Sequence, residues 1–150
     1  MDFAKFDKEI DLDGLRQDIS NASKRKDDFD KVPVGTYEVK ITKMELRENS
    51  KGSPMLTVWF KILDGEYKGQ LIFMNQTITK GFQIHICNEF LRSLDSGKDV
   101  VFEGYAQYDQ LVYEIFDWLN EEKVEYALEY GKRGNYDTFK IVEVFEGNPL

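Results

Sequence analysis

The fold is decided between Val34 and Thr77, where the sequence reads VGTYEVKITKMELRENSKGSPMLTVWFKILDGEYKGQLIFMNQT. Three apolar runs follow one another here, separated by polar, turn-forming breaks at residues 47–54 and 64–69. Period-two alternation bounded by Gly, Asn, Asp and Pro is typical of half-buried antiparallel strands. The alternating apolar positions are Tyr37, Val39 and Ile41 in the first run, and Leu56, Val58, Phe60 and Ile62 in the second. The stretch therefore predicts three consecutive strands with no helix between them.

The alternation changes phase near Lys43. Apolar residues occupy odd positions up to Ile41 and even positions from Met44 onward. One extra residue in a strand makes a β-bulge, which bends the strand and helps a sheet to curl. We therefore expect a bulge close to Lys43.

Beyond Thr77 the period changes from two to about four over residues 81–120, and two further strand-like runs end the chain. The apolar positions with helical spacing are Phe82, Ile86, Phe90 and Leu94, followed by Leu111, Ile115 and Leu119. The last runs, from Val124 to Tyr130 and from Thr138 to Phe145, flank a predicted turn at residues 131–135.

This order of elements predicts a mainly β fold with an α insert (α+β). Three strands, a helical connection between strands 3 and 4, and two more strands match a five-stranded, OB-like antiparallel barrel. Other sheet folds with the same element order stay open. Residues 1–31 are interpreted as a helical appendage and linker, and residues 32–150 as the single OB-like domain. The helical face in the appendage consists of Leu12, Leu15, Ile19 and Ala22.

The charge of the chain is unevenly distributed. The formal net charge is −8, which on its own argues against a nucleic-acid partner, because phosphate contacts need Lys and Arg. Residues 81–122 hold 9 acidic and 2 basic side chains, whereas residues 32–80 hold 5 acidic and 7 basic ones. The excess acid therefore lies in the helical insert, and a basic face on the strands remains compatible with the composition.

Catalytic and metal-binding motifs are not found in the sequence. There is no Gly-rich phosphate loop ending in Gly-Lys-Ser/Thr, and no nucleophile elbow. His85 and Cys87 are the only histidine and cysteine, and both fall within a helical pattern. We therefore predict a non-enzyme without metal or cofactor. The single cysteine fits a reducing compartment, and we find neither a secretory signal nor an apolar run of about 20 residues that would predict a membrane segment.

A binding surface is predicted on the second strand and on two basic turns. Trp59 and Lys61 project from the face of that strand opposite its apolar positions. An aromatic ring beside a cation suits single-stranded nucleic acid, because bases stack on the ring and the cation neutralises phosphate. OB-folds bind oligonucleotides across strands 2 and 3 and between the loops joining strands 1–2 and 4–5. The remaining candidates are Arg47 and Lys51 in the first loop, Lys132, Arg133 and Tyr136 in the second, and Phe73 on strand 3, whose direction the pattern leaves open.

Several motifs resemble a family of small phage-encoded proteins catalogued as a domain of unknown function. They include Val32-Pro33-x-Gly35-x-Tyr37-Glu38-Val39, Gly52-Ser53-Pro54-Met55-Leu56, Gly65-Glu66-Tyr67-Lys68-Gly69 and Ile72-Phe73-x-Asn75-Gln76. The resemblance implies a single-stranded DNA-binding protein of phage DNA replication or recombination, acting in the bacterial host cytoplasm. It implies no particular binding residues, so the candidates above rest on the strand pattern alone.

Two functions are therefore kept. The first is sequence-tolerant binding of single-stranded DNA, with RNA, a homo-oligomer and phage or host replication or recombination proteins as further partners left open. The alternative is a protein-interaction or inhibitor module that acts through the acidic helical insert. Binding to oligo-dT that weakens with salt would favour the first, and DNA-independent capture of a protein partner would favour the second.

Overall fold

The computed structural model describes residues 32–145, and the predicted appendage at residues 1–31 lies outside the described residues, as do residues 146–150. Three strands come first, two helices follow, and two strands end the described chain. Their bounds are β1 Gly35–Glu48, β2 Pro54–Ile62, β3 Leu71–Thr77, α1 Gly81–Ser93, α2 Tyr105–Glu121, β4 Glu125–Arg133 and β5 Tyr136–Phe145. The predicted mainly β fold, with a helical connection between the third and fourth strands, is confirmed.

The five strands form one antiparallel sheet in the order β3-β2-β1-β4-β5. The sheet is open, because no ladder joins β3 to β5 within residues 32–145. The predicted OB-like barrel is therefore not confirmed, although the number of strands and their antiparallel pairing are. Over the same residues, no helix is long and apolar enough to cross a membrane.

The predicted bulge is confirmed in β1. Ile41 pairs with Phe60 of β2, but the next pair joins Lys43 to Trp59, so that Thr42 is the extra residue. The side chains of β1 therefore change face at this point. Val39 and Ile41 are buried before the bulge, and Met44 is buried after it.

The sheet curls strongly around its inner face. Phe60 of β2 stacks on Phe139 of β5, with ring centroids 6.0 Å apart, although β1 and β4 lie between these strands in the sheet. In a flat sheet three strand spacings would separate them by about 14 Å. Phe90 of α1 packs edge-on against the same Phe60 at 5.9 Å. One fully buried ring thus joins the two halves of the sheet and a helix.

The apolar face predicted for α1 is partly wrong. Phe90 and Leu94 are buried, but Phe82 and Ile86 are 62% and 45% exposed. The buried side of α1 continues instead through Cys87 and Leu91. Regular four-residue spacing does not specify which side of a helix meets the sheet, and only the second half of this series does so. For α2 the predicted positions Leu111, Ile115 and Leu119 are all buried.

Buried hydroxyl groups connect the helices to each other and to the sheet. Tyr126 of β4 donates a hydrogen bond to the carbonyl of Leu94 at 2.9 Å. Tyr108 of α2 donates to Oδ1 of Asn88 in α1 at 2.6 Å. Burial raises the pKa of both phenols, and it raises the pKa of the Cys87 thiol to about 12.

Stability is therefore expected to fall at alkaline pH. The Cys87 thiol and the two phenols stay protonated in the folded protein at pH values at which they ionise in the unfolded chain. Ionisation therefore favours the unfolded state once the pH exceeds the ordinary thiol pKa of 9.0. Urea unfolding should give a constant free energy between pH 7 and pH 8 and a progressive loss towards pH 12. Cys87→Ala should reduce the first part of this loss. The same pH profile in that variant would contradict the contribution of the thiol.

Candidate nucleic-acid-binding face

Three side chains form a row across the outer face of the sheet. Lys43 of β1 pairs with Trp59 of β2, which in turn pairs with Phe73 of β3. The ammonium group of Lys43 lies 4.5 Å from the centre of the Trp59 ring, and Phe73 meets that ring edge-on with centroids 5.4 Å apart. We call Lys43, Trp59 and Phe73 the aromatic row.

Strand alternation and the bulge place these residues together. Val58 and Phe60 are fully buried on the inner face, so Trp59 between them points outward, where it is half-buried. The bulge turns Lys43 to the same side. Phe73, whose direction the sequence left open, is 49% exposed and lies beside Trp59.

Basic side chains dominate the rows on either side. Lys40, Lys61 and Leu71 form the neighbouring row on one side of the aromatic row. On the other side Glu45, Thr57 and Asn75 are paired, and Arg47 follows opposite Met55. These four rows hold four basic side chains and one carboxylate, that of Glu45, which forms an ion pair with Lys43 at 3.1 Å. These four rows are thus locally basic in an acidic protein, and the next outward side chain of β1, beyond Lys40, is the carboxylate of Glu38.

A polar pair next to the aromatic row is fixed by a hydrogen bond. Thr57, which is 1% exposed, donates its hydroxyl hydrogen to Oδ1 of Asn75 at 2.9 Å. The Asn75 side chain is exposed, and this bond to its oxygen leaves the amide N–H groups beside Phe73 as donors. The face can therefore offer stacking surface, cations and an amide donor to a ligand.

The turn between β1 and β2 is held by Asn49. Its Oδ1 accepts hydrogen bonds from the backbone N–H groups of Lys51 and Ser53, at 2.9 and 3.0 Å. Lys51 is exposed on this turn, at the end of β1 that also carries Arg47. Of the two basic residues predicted in this loop, only Lys51 lies there, because β1 continues to Glu48 and includes Arg47. Both residues lie on the same side of the aromatic row.

The predicted turn at residues 131–135 is wrong in extent. β4 continues through Lys132 and Arg133, and β5 begins at Tyr136, which leaves a two-residue turn. Gly134 has φ 64°, and a type II′ hairpin turn has Gly at this first central position. The hairpin extends past the pair Gly35–Tyr130, at the opposite end of β1 from Lys51. Lys132, Arg133 and Tyr136 are therefore not brought together with the other candidates.

Sequence reasoning missed Lys40, Lys43 and Asn75. The signal for Lys43 was available, because the phase change that predicts the bulge also moves the odd-numbered residues after it to the outer face. Asn75 could be placed only once the direction of Phe73 was known. Within the acidic helical insert, α1 packs on the inner side of the sheet through the contact of Phe90 with Phe60. α2 comes closer to the candidate face, because its Asp109 lines the same pocket as Arg47.

Cys87 is fully buried, with its thiol pKa raised by burial, so it carries no reactive thiolate at neutral pH. Between residues 32 and 145, no three His, Cys, Asp or Glu side chains are grouped so that they could hold a metal ion.

Comparison with known families identifies the chain at the family level. The model of a family described as "Protein of unknown function (DUF669)" matches residues 18–107, which is more than half of the chain. The protein therefore belongs to this family. No curated protein matches the sequence. The matched segment includes β1, β2 and β3, and with them the whole aromatic row.

Proposed function

We propose that this protein binds single-stranded DNA in a sequence-tolerant, non-catalytic manner through the outer face of β1–β3. The observation that carries the proposal is the aromatic row, in which the half-buried Trp59 lies beside the exposed Phe73 and has a lysine on its ring. Every base has a π-face, so stacking on such rings tolerates any sequence. The cations in the adjacent rows supply positive charge that can neutralise the phosphates of a strand that crosses the face.

Lys43 has two roles in this proposal. In the free protein its ammonium group lies on the Trp59 ring and pairs with Glu45. A base that stacks on Trp59 replaces this cation, and the ammonium group then becomes available to a phosphate. Because the replaced contacts are exposed or half-exposed, their loss costs little compared with base stacking.

We further propose that the sheet is OB-like. OB-folds are five-stranded, partly open Greek-key barrels that bind oligonucleotides across strands 2 and 3. Here β3 and β5 are the two edges, the Phe60–Phe139 contact curls the sheet, and α1 contacts both edge strands. Trp59 and Phe73 lie on the two strands that this fold uses for binding. The proposed setting, phage DNA replication or recombination in a bacterial cytoplasm, rests on the motif resemblance.

The salt dependence of binding tests the phosphate contacts. Lys40→Gln/Lys61→Gln should weaken binding to oligo-dT of every length, and should reduce the log–log salt slope by about 0.7 for each contact removed. The matched control Lys98→Gln/Lys123→Gln removes the same charge from segments flanking α2 and should leave the slope unchanged. Equal slopes for the two variants would contradict the proposed face.

The hairpin candidates need a separate variant. If the bound strand extends along the whole of β1, Lys132→Ala/Arg133→Ala should also reduce the salt slope, and long oligonucleotides should be affected more than short ones. Unchanged affinity for long oligonucleotides would limit the site to β1–β3 and the turn at Lys51.

A second candidate function is protein binding through the helical insert. Phe82 and Tyr113 are each 62% exposed on helices whose segment is strongly acidic. Exposed aromatic residues within charged surroundings are typical of protein-interaction surfaces. Capture of a basic partner that is lost in Phe82→Ala/Tyr113→Ala and is unaffected by nuclease would support this function.

A further inference from the structure

The free edge of β3 is the starting point. β3 pairs with β2 on one side and is the last strand of the sheet on the other. Two hydrogen bonds at the ends of the β2–β3 ladder show which residues of β3 bond to β2. Ile62 N–H donates to the Gln70 carbonyl at 2.9 Å, and Ile78 N–H donates to the Pro54 carbonyl at 3.0 Å. Hydrogen-bonded and non-hydrogen-bonded pairs alternate in antiparallel ladders. Ile72, Met74 and Gln76 therefore bond to β2.

The remaining residues of β3 direct their backbone groups to the open edge. These are Leu71, Phe73, Asn75 and Thr77, by the same alternation. The carbonyl of Thr77 accepts a hydrogen bond from Nε2 of Gln76 at 2.9 Å. Within residues 32–145, the edge-facing N–H and C=O groups of Leu71, Phe73 and Asn75 have no hydrogen-bond partner. Three consecutive edge positions thus offer a complete donor and acceptor pattern to another strand.

The two edges of the sheet differ in their protection. Natural sheets guard free edges with charges, proline, bulges or a covering helix or loop. α1 contacts both edge strands, so a covering helix does not distinguish them. β5 carries Asp137, Lys140 and Glu143, and its register shifts at Val142, which is the extra residue opposite β4. β3 reads LIFMNQT and has no charge, no proline and no bulge in its pairing with β2. Of these two edges, only β3 has the features of a pairing surface.

We propose that the β3 edge pairs, antiparallel and across a two-fold axis, with the β3 edge of a second copy of this chain. A register centred on Phe73 lets all three edge positions bond, because Leu71 then lies opposite the partner's Asn75 and Phe73 opposite the partner's Phe73. Each such pair exchanges two backbone hydrogen bonds. On the inner face, Ile72 lies opposite the partner's Met74, so apolar side chains meet apolar ones. The strand is complementary to itself in this register.

The distribution of charge permits two copies to meet at this edge. The chain carries −8 overall, and residues 81–122 hold most of the excess acid, so the helical surfaces of two copies repel each other. β3 carries no charge and brings no like charges into opposition. A two-fold axis at Phe73 therefore joins the copies where repulsion is least.

The pairing would also enlarge the binding face, a consequence that rests on the proposed function. Two aromatic rows would become one, running from Lys43 through Trp59 and Phe73 to the partner's Phe73 and the partner's Trp59. Aromatic side chains opposite each other on neighbouring strands stabilise a sheet. One strand of DNA would then contact four rings across the dimer, and the site size would be twice that of one chain.

Sedimentation velocity of the full chain without nucleic acid tests the pairing by itself. Leu71→Lys/Asn75→Lys places like charges opposite each other twice in the proposed register, and should raise the dimer dissociation constant at least about tenfold. Leu71→Lys/Asn75→Glu changes the same two positions but places a positive charge opposite a negative one, and should therefore restore the dimer. Parent protein that stays monomeric at about 100 µM, or equal dissociation constants for the two variants, would overturn the proposal.

Cysteine substitution tests the register. Residues in a hydrogen-bonded antiparallel pair have Cα atoms about 5.5 Å apart, which suits a disulfide. Phe73→Cys should therefore form a covalent dimer under mild oxidation, and Asn75→Cys should not, since Asn75 lies opposite the partner's Leu71. The reverse pattern would contradict a centre at Phe73. Because both tests exclude DNA, their failure would leave the proposed function standing, and a dimer without DNA affinity would leave the pairing standing.

Discussion

Replacing Phe60 by Ala is expected to lower the free energy of unfolding by about 3–5 kcal/mol. Phe60 is fully buried, and its ring centroid lies 5.9 Å from that of Phe90 in α1 and 6.0 Å from that of Phe139 in β5. Its removal leaves a cavity where the two halves of the curled sheet meet the helix. Urea unfolding of the variant at neutral pH measures the loss.

Two comparisons make this prediction specific. Phe82→Ala removes an equally large ring that is 62% exposed, and should change stability by less than about 0.5 kcal/mol. A double-mutant cycle of Phe60→Ala with Phe139→Ala should give a coupling energy of about 0.5–1.5 kcal/mol. Since strands β2 and β5 are not neighbours in the sheet, additive effects would contradict the curvature.

Replacing Trp59 by Ala is expected to weaken binding of single-stranded DNA by about 1–3 kcal/mol. The ring is the centre of the aromatic row, in contact with Phe73 and with the ammonium group of Lys43. Its loss removes the largest stacking surface on the outer face. Phe73→Ala should weaken binding less, because that ring is smaller and lies at the edge of the sheet.

The matched control for Trp59→Ala is Tyr113→Ala. Tyr113 is an aromatic residue on α2 with 62% exposure, and its removal should leave DNA affinity unchanged. Urea unfolding of both variants separates loss of binding from loss of folding. A folded Trp59→Ala protein with the parent's affinity would show that the binding face lies elsewhere.

The strand pattern of the sequence predicted most of the features that position the aromatic row. Alternation along β2 placed Trp59 and Lys61 on one face, and the phase change near Lys43 predicted the bulge. Phe73 could not be oriented in this way, because β3 is apolar at successive positions and only its pairing with β2 fixes the direction. The same change of phase also places Lys43 on the outer face, because odd-numbered residues point outward after the bulge.

Other features depend on tertiary contacts that a single sequence does not encode locally. Gly131 looked like part of a turn, yet it lies in β4 opposite Thr138. A Cβ atom at this position would be 2.8 Å from Oγ1 of Thr138, so the close approach of the neighbouring side chain explains the glycine. Likewise, Phe82 and Ile86 share the spacing of buried helix residues but are exposed, because the buried side of α1 consists of Cys87, Phe90 and Leu91. Whether the sheet closes into a barrel depends on how strongly it curves, and local sequence patterns do not specify this curvature.

Fluorescence of Trp59 during titration with single-stranded DNA tests the central claim most directly. The chain has two tryptophans, so Trp118→Phe leaves Trp59 as the sole tryptophan reporter. Oligo-dT should quench this emission in a saturable manner at low salt, and the apparent affinity should fall as salt is raised. Emission that stays constant while an independent assay shows binding, or no binding at low salt, would contradict base stacking on the outer face of β1–β3.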